Sequence, residues 1–147
     1  MREILFRGKT KGHKKGVLTN KPIRANMWVY GCLDIGSLCG YKVDMISDEK
    51  ETYSVISETI EQYIGKTDKN GKKIFEGDIG RYKQTDGAKI NGNPMICIGK
   101  VVYNEKTASF AVDSKDEIGA KNYDYFPIKD FEIIGNIHDN PELLKGE

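Results

Sequence analysis

Short runs in which apolar and polar residues alternate recur along the chain, and a two-residue period of this kind predicts β-strands. In residues 41–46, for example, Tyr41, Val43 and Met45 alternate with polar side chains. The same pattern predicts strands at residues 2–7, 27–33, 53–56, 60–64, 79–83, 95–103, 108–112 and 131–137, and a short strand or extended turn at 123–127. Helix is predicted only as a single turn near the C-terminal end. The pattern therefore predicts an all-β fold.

Residues 62–79 carry two tight-turn signals around an apolar pair. Asn70-Gly71 predicts the first turn because both residue types accept positive φ, and Glu76-Gly77-Asp78 predicts a second turn before the next strand. Ile74 and Phe75 lie between the turns and must be buried if the turns are to be held in place. Paired turns around a buried aliphatic–aromatic step are typical of small SH3-like barrels, so we expect an SH3-like C-terminal half.

The last predicted strand leads into the helical turn. Gly135 allows a β-bulge or a close backbone contact within that strand. Asp139 or Asn140 is suited to cap a helix, and Pro141 fits the first helical position. These residues predict a short helical turn at 141–144.

The composition places this 147-residue chain among globular proteins of one-domain size, with 38% hydrophobic and 31% charged residues. Sixteen glycines, eight tyrosines and five phenylalanines favour a turn-rich β protein. We find no apolar run long enough to cross a bilayer and no hydrophobic segment typical of a signal peptide. The expected location is therefore the cytoplasm, without membrane association.

The three cysteines, Cys32, Cys39 and Cys97, form no Cys-x-x-Cys pair, and both histidines lie far from them in sequence. A structural metal site usually needs four ligands in closely spaced pairs. We therefore expect no metal ion, and we expect reduced thiols that are partly buried in strands.

The net charge of +1 is unevenly distributed along the chain. Residues 1–26 hold eight basic side chains and one acidic side chain, so this segment carries +7 and the remainder carries −6. Such a basic segment either binds phosphates or an acidic partner, or is a solvated loop that folds back on the acidic body. Residues 8–16 read as a mobile loop because they hold three glycines and four lysines. The candidate binding residues are Arg7, Lys9, Lys11, Lys14, Lys15, Lys21 and Arg24.

We find no motif for nucleophilic, metal-dependent or nucleotide-dependent catalysis in the sequence. Asp78 and Asp139 are conceivable as an acid–base pair, but their turn and cap positions explain them without chemistry. His138 lies beside the cap, where a lone histidine is more often structural. We therefore expect no catalytic residue and no cofactor.

Four segments carry a family resemblance: Met1-Arg2-Glu3-Ile4 with Phe6-Arg7-Gly8, Trp28-Val29-Tyr30-Gly31, the stretch from Gln62-Tyr63 to Ile79, and the closing stretch from Glu132 to Leu144. In this order they resemble the YopX family, small proteins of bacteriophages and prophages of mostly Gram-positive bacteria. Two positions depart from the family pattern. Gly80 stands where an aliphatic residue is usual, and Glu61 stands near a position often occupied by glycine.

The resemblance implies an all-β pseudo-barrel built from two sheets, in a family without an agreed biochemical activity. We expect one domain over residues 1–147, with an N-terminal β part over about 1–60 and an SH3-like part over about 61–147. The shared motif residues are of types that shape turns, the core and a helix cap, and we expect them to be structural rather than catalytic. They are Trp28, Asn70, Gly71, Ile74, Phe75, Gly77, Asp78, Gly135, Asn140 and Pro141.

Two functional hypotheses remain from the sequence. The first is a non-catalytic module that binds a phage or host protein, or a second copy of itself, in the cytoplasm of the bacterial host. The alternative is weak nucleic-acid binding through the basic segment, which the acidic body and a sequence pI of about 7.6 disfavour.

Overall fold

The computed structural model describes residues 2–38, 41–84 and 89–145 of the chain. Within these residues helix is limited to two 3₁₀ turns, Ser57–Thr59 and Pro141–Leu144, so the all-β prediction and the terminal helical turn are confirmed. The strands are β1 (Phe6–His13), β2 (Ile23–Leu38), β3 (Tyr41–Ser47), β4 (Thr52–Ser54), β5 (Glu61–Thr67), β6 (Lys73–Phe75), β7 (Asp78–Lys83), β8 (Lys89–Ile90), β9 (Asn93–Pro94), β10 (Ile96–Asn104), β11 (Ser109–Asp116), β12 (Lys121–Tyr125) and β13 (Glu132–Asn136).

The chain divides into two compact units, Met1–Tyr63 and Ile64–Glu147. The expectation of one domain, with its two parts meeting near residue 60, stays a prediction. Cys39 and part of the loop between the predicted strands at 79–83 and 95–103 lie outside the described residues. The described part of that loop holds the two-residue strands β8 and β9, joined by Asn91-Gly92 with positive φ at both positions.

The first unit is built on antiparallel strands in the order β4-β3-β2-β1-β5. Its core is formed by Val29, Ile46 and Val55, with partly buried apolar side chains packed around them. Core residues lie on one face of each strand, because successive side chains point to opposite sides of a sheet. On the opposite face Lys9 lies across from Trp28, and Arg7 lies across from Tyr30.

The prediction that residues 8–16 are a loop is wrong for residues 8–13, which continue strand β1 to His13. Backbone pairing with β2 holds this polar stretch in place, and such pairing needs no apolar period. A bulge interrupts the register between Lys9 and Lys11. There the buried hydroxyl of Thr10 donates to the carbonyl oxygen of Arg24 and accepts from the backbone N–H of Met27 at 3.1 Å.

The second unit holds a five-stranded antiparallel sheet in the order β12-β11-β10-β7-β13. Its core includes Ile74, Tyr82, Val101, Val112 and Phe131. Within the described residues β12 and β13 are the two edges of this sheet, so the strand order is open. The second unit, which the sequence predicted to be SH3-like, therefore has an open sheet and no closed barrel in its described residues.

The two apolar residues between the tight turns are buried, as the sequence predicts. Ile74 and Phe75 are 1% and 3% exposed. Gly71 and Gly77 adopt positive φ, as the turn dipeptides predict, whereas Asn70 does not. The Asp78 carboxylate accepts the Phe75 backbone N–H at 2.8 Å, which closes the second turn.

The C-terminal segment has the predicted bulge, helical turn and N-cap position. The register of β13 shifts between Ile133 and Gly135, which is the predicted bulge, and Pro141 occupies the start of the 3₁₀ turn. Asn140, one of the two predicted capping residues, occupies the N-cap position of this turn, but its side chain makes no capping hydrogen bond. Its Oδ1 instead accepts the backbone N–H of Asn136 at 3.3 Å. A Cβ at position 135 would lie 2.6 Å from that oxygen, which explains the glycine.

Gly80 departs from the family pattern for a steric reason. A Cβ built at this position would overlap the ring of Phe131, whose side chain is fully buried. An aliphatic residue at 80 and the Phe131 ring thus compete for the same volume. The glycine leaves room for the larger side chain.

Replacing Gly80 with alanine is expected to lower the free energy of unfolding by about 1–3 kcal/mol, because an overpacked core forces side chains from their preferred rotamers. Thermal or denaturant unfolding measures this loss. The double variant Gly80→Ala with Phe131→Leu should lose less than the sum of the two single variants, since the smaller side chain relieves the overlap. Strictly additive losses would contradict the steric explanation.

Candidate functional site

The structure separates the seven basic residues predicted to bind phosphates or an acidic partner. Arg7 is buried and Lys9 is partly buried. The other five, which are exposed on or beside the β1–β2 hairpin, are Lys11, Lys14, Lys15, Lys21 and Arg24. The hairpin therefore presents fewer cations to a ligand than the sequence predicted.

Arg7 has a structural environment that removes it from the candidate binding residues. Its Nε and Nη2 donate to Glu61 Oε1 at 3.0 and 2.9 Å, and both side chains are more than nine-tenths buried. The guanidinium carbon lies 4.6 Å from the Trp28 ring centroid, and Lys9 Nζ lies 5.4 Å from it. Cations in these positions are attracted to the indole face. Glu61, the second departure from the family pattern, is thus the partner of a buried arginine.

Glu51 fixes the tip of the basic hairpin, which the sequence predicted to be mobile. Its carboxylate accepts the backbone N–H groups of Leu18 and Thr19 at 2.8 and 2.9 Å, and the Thr19 hydroxyl at 2.6 Å. The backbone N–H of Thr52 adds a fourth hydrogen bond at 3.0 Å. The Thr19 hydroxyl is the main cause that lowers the pKa of Glu51 to about 2. The segment therefore folds back on an acidic residue through backbone groups rather than through lysines.

The stability of the protein is expected to depend on pH through Glu51. Its pKa is about 2 in the folded protein and near 4.5 ordinarily, so its contribution is present above pH 4.5 and is lost as pH falls toward 2. Glu51→Gln should therefore be less stable than wild type at neutral pH, with the difference shrinking as the wild-type carboxylate becomes protonated. Denaturant unfolding across this pH range measures it. Glu49→Gln, at an exposed carboxylate two residues earlier, is the control for loss of a negative charge, and a pH-independent difference for Glu51→Gln would contradict the assignment.

The second unit has a groove of about 670 Å³ on the solvent-facing side of its five-stranded sheet. Its apolar lining includes Ile96 and Ile98 of β10 and Leu143 and Leu144 of the 3₁₀ turn. Ile118 borders it from the loop after β11 and is 71% exposed, while Ile98 is 36% exposed. We call this feature the β10–β11 groove. It offers apolar side chains in a concave surface, which is typical of binding sites.

The charged side chains that line the β10–β11 groove differ in how they are engaged. Asp116 Oδ1 accepts the backbone N–H groups of Ile118 and Ala120 at 3.1 and 2.8 Å. Glu117 Oε1 accepts the N–H of Ile96 at 3.0 Å. In contrast, three lysines of the groove form no ion pair with any described carboxylate. They are Lys100, Lys115 and Lys121.

A buried polar cluster in the second unit was not predicted from the sequence. The Tyr82 hydroxyl lies 2.8 Å from Ser114 Oγ and donates to an Asp124 carboxylate oxygen. Asn122 Nδ2 donates to Cys97 Sγ at 3.8 Å. Burial raises the pKa of the Cys97 thiol to about 11, so the thiol is protonated at neutral pH and is a poor nucleophile. The cluster therefore joins β7, β10, β11 and β12 through polar side chains around a protonated thiol.

The carboxylates considered for acid–base chemistry are engaged locally. Asp78 accepts the Phe75 N–H, and Asp139 Oδ2 accepts Asn136 Nδ2 at 3.0 Å. His138 donates its backbone N–H to Asn136 Oδ1 at 3.0 Å. In residues 2–38, 41–84 and 89–145 no three His, Cys, Asp or Glu side chains are grouped to hold a metal ion, and no helix has the length and hydropathy to cross a membrane.

Comparison with known proteins identifies one family. The family described as YopX protein matches residues 28–145, which is most of the chain. Comparison with curated proteins found no match.

Proposed function

We propose that this chain, which belongs to the YopX family, is a non-catalytic interaction module that binds a protein segment in the β10–β11 groove. The observation that carries the proposal is the concave, partly apolar surface of the groove, with Ile98 and Ile118 exposed in it. Exposed apolar side chains grouped in a groove mark a protein interaction site more often than isolated ones do.

The hydrogen bonds and burial of the candidate reactive side chains support a module without catalytic activity. Asp78 and Asp139 are engaged in turns, and Cys97 is buried with a raised pKa. We propose that the partner is a phage or host protein, or a second copy of this chain, and that binding takes place in the bacterial cytoplasm.

Selection from a library of short random peptides tests the proposed function. Peptides selected on the wild-type protein are expected to lose binding to Ile118→Asp, because a charge at this exposed position disrupts apolar contacts in the groove. Ile4→Asp is the matched control, since Ile4 is also an exposed isoleucine but lies outside the groove. If no selected peptide depends on Ile118, the proposed function is wrong.

A second candidate function is weak nucleic-acid binding by the β1–β2 hairpin. It is favoured by the exposure of Lys11, Lys14, Lys15, Lys21 and Arg24 on one hairpin whose tip Glu51 fixes. Phosphate contacts of this kind show no sequence choice and weaken with salt, with a log–log slope of about −0.7 to −0.9 per phosphate neutralised.

Fluorescence anisotropy with labelled single- and double-stranded oligonucleotides at low salt tests this second function. Replacing Lys11, Lys14, Lys15 and Lys21 with glutamate is expected to abolish binding without loss of stability, because exposed lysines contribute little to folding. The same change at Lys66, Lys72, Lys106 and Lys129, which are exposed in the second unit, is the control for net charge. Absence of binding by the wild-type protein at high protein concentration would remove this candidate.

A further inference from the structure

We infer that this chain forms a symmetric dimer in which strand β12 of one copy pairs, antiparallel, with β12 of a second copy. The inference goes beyond the proposed function, because the contact surface is the edge of the five-stranded sheet and the β10–β11 groove need not be occupied. Within the described residues β12 pairs with β11 on one side and with no strand on the other. An edge of this kind is a template for pairing with another chain.

The register with β11 determines which backbone groups of β12 point outward. Next to the strand, the N–H of Asp116 donates to the carbonyl oxygen of Ala120 at 3.0 Å. Hydrogen-bonded and non-hydrogen-bonded pairs alternate in an antiparallel ladder, so residues two and four positions after Ala120 also direct their N–H and C=O groups at β11. The other three residues of β12 direct these groups outward, where no described residue pairs with them: Lys121, Tyr123 and Tyr125.

The opposite edge of the sheet, β13, is protected in two ways that β12 lacks. Its register shifts at the bulge between Ile133 and Gly135, which interrupts a regular edge. The N–H of Ile133 donates to the Asp68 carboxylate at 3.1 Å, so a side chain already occupies it. β12 pairs with β11 without a register shift and contains no proline. Of the residues that protect natural edge strands, β12 has only a lysine at its first position.

The sequence of β12 is complementary to itself in one antiparallel register. When a two-fold axis lies at Tyr123, all five residues of each strand are paired. Lys121 of each copy then lies opposite Tyr125 of the other, and a lysine beside an aromatic ring is an attractive pair. Asn122 lies opposite Asp124, so two carboxylates never meet. A shift of the register by two residues in either direction leaves fewer residues paired.

The side chains of the three outward-paired residues share the solvent-facing side of the sheet, since they alternate along the strand. Tyr123 and Tyr125 are 44% and 46% exposed. Their ring centroids lie 5.5 Å apart in an edge-on contact, and the Tyr125 hydroxyl accepts Asn104 Nδ2 at 3.0 Å. These contacts order both rings before association, which reduces the entropy lost when a second copy pairs.

Sedimentation equilibrium of the full-length protein from micromolar to millimolar concentration tests the inference. The wild-type protein is expected to show a monomer–dimer equilibrium, and a weak one, because a five-residue edge buries less area than a standard interface. Tyr123→Lys opposes two like charges at the two-fold axis and should raise the dimer Kd by at least about tenfold. Tyr103→Lys is the matched control with the same charge change, because Tyr103 is 46% exposed on β10 and lies away from the edge.

Two replacements of Tyr125 test the register itself. Tyr125→Glu places a carboxylate opposite Lys121 of the second copy, whereas Tyr125→Lys opposes two ammonium groups. The glutamate variant is expected to dimerise at least about tenfold more tightly than the lysine variant. Both variants lose the same ring and the same hydrogen bond with Asn104, so a role of Tyr125 confined to its own copy would affect them equally.

Thermal unfolding at low concentration shows that each variant is folded as a monomer. Tyr123→Glu repeats the test at the two-fold axis with the opposite charge and should weaken the dimer as Tyr123→Lys does. A wild-type protein that stays monomeric at millimolar concentration would overturn the inference, as would equal Kd values for the two Tyr125 variants. A dimer that is lost in Ile118→Asp but kept in Tyr123→Lys would place self-association in the β10–β11 groove, so the edge pairing would be wrong and the proposed function would stand.

Discussion

Replacement of Phe75 by alanine is expected to destabilise the second unit by about 3–5 kcal/mol, the range typical for loss of a buried aromatic ring. Phe75 is 3% exposed and lies between two turns whose glycines adopt positive φ. Removing the ring leaves a cavity that the surrounding turns are poorly able to fill, because Asp78 fixes the backbone N–H of residue 75. A loss of this size is a large fraction of the stability of a small domain.

Thermal and denaturant unfolding of Phe75→Ala measure this effect. Tyr103→Ala is a suitable control, because Tyr103 is an aromatic residue of the same unit that is 46% exposed. The control should be much less destabilised. An unchanged melting temperature for Phe75→Ala would mean that the two turns do not depend on the buried ring between them.

Arg7→Ala is expected to cost about 3–5 kcal/mol, because it leaves the Glu61 carboxylate buried without its guanidinium partner. Both side chains of this pair are less than one-tenth exposed. The double replacement Arg7→Met with Glu61→Leu should be far less destabilising, since a buried ion pair often contributes little relative to apolar residues of similar volume.

A double-mutant cycle on Arg7 and Glu61 measures the coupling between the two side chains. Arg24→Ala is the control for loss of a positive charge, because Arg24 is exposed on the same hairpin. If Arg7→Ala and Arg24→Ala had equal effects on unfolding, Arg7 would be a surface cation, as the sequence first indicated, and the structural assignment would be wrong.

The features that the sequence predicted well depend on residues close together in the chain. The turns at Asn70-Gly71 and Glu76-Gly77, and the bulge at Gly135, follow from residue types that accept unusual backbone geometry. The polar part of β1 was missed because its strand character comes from pairing with β2, and its lysines and glycines carry no apolar period. The N-cap position of Asn140 was predicted, but its side-chain contact with the preceding strand was not, because asparagine suits both a cap and such a contact.

The candidate groove could not be predicted from the sequence, for a different reason. Ile98, Lys115 and Ile118 come together only through the register of β10 with β11 and the position of the loop that follows. The contacts of Asp116 and Glu117 with backbone N–H groups are likewise a property of the folded loop. For the same reason, the sequence counted Arg7 among the available cations, although its partner lies fifty-four positions away at Glu61.

The burial of Cys97 gives the second unit an intrinsic reporter of its own opening. Its thiol is inaccessible and its pKa is raised to about 11, so alkylating reagents reach it in reactive form only when β10 separates from its neighbours. The labelling rate of Cys97 thus measures the local opening equilibrium of the sheet that carries the groove. Cys32 is exposed in the first unit and supplies the unprotected reference rate within the same molecule. A ligand that binds the groove should slow the alkylation of Cys97 and leave that of Cys32 unchanged.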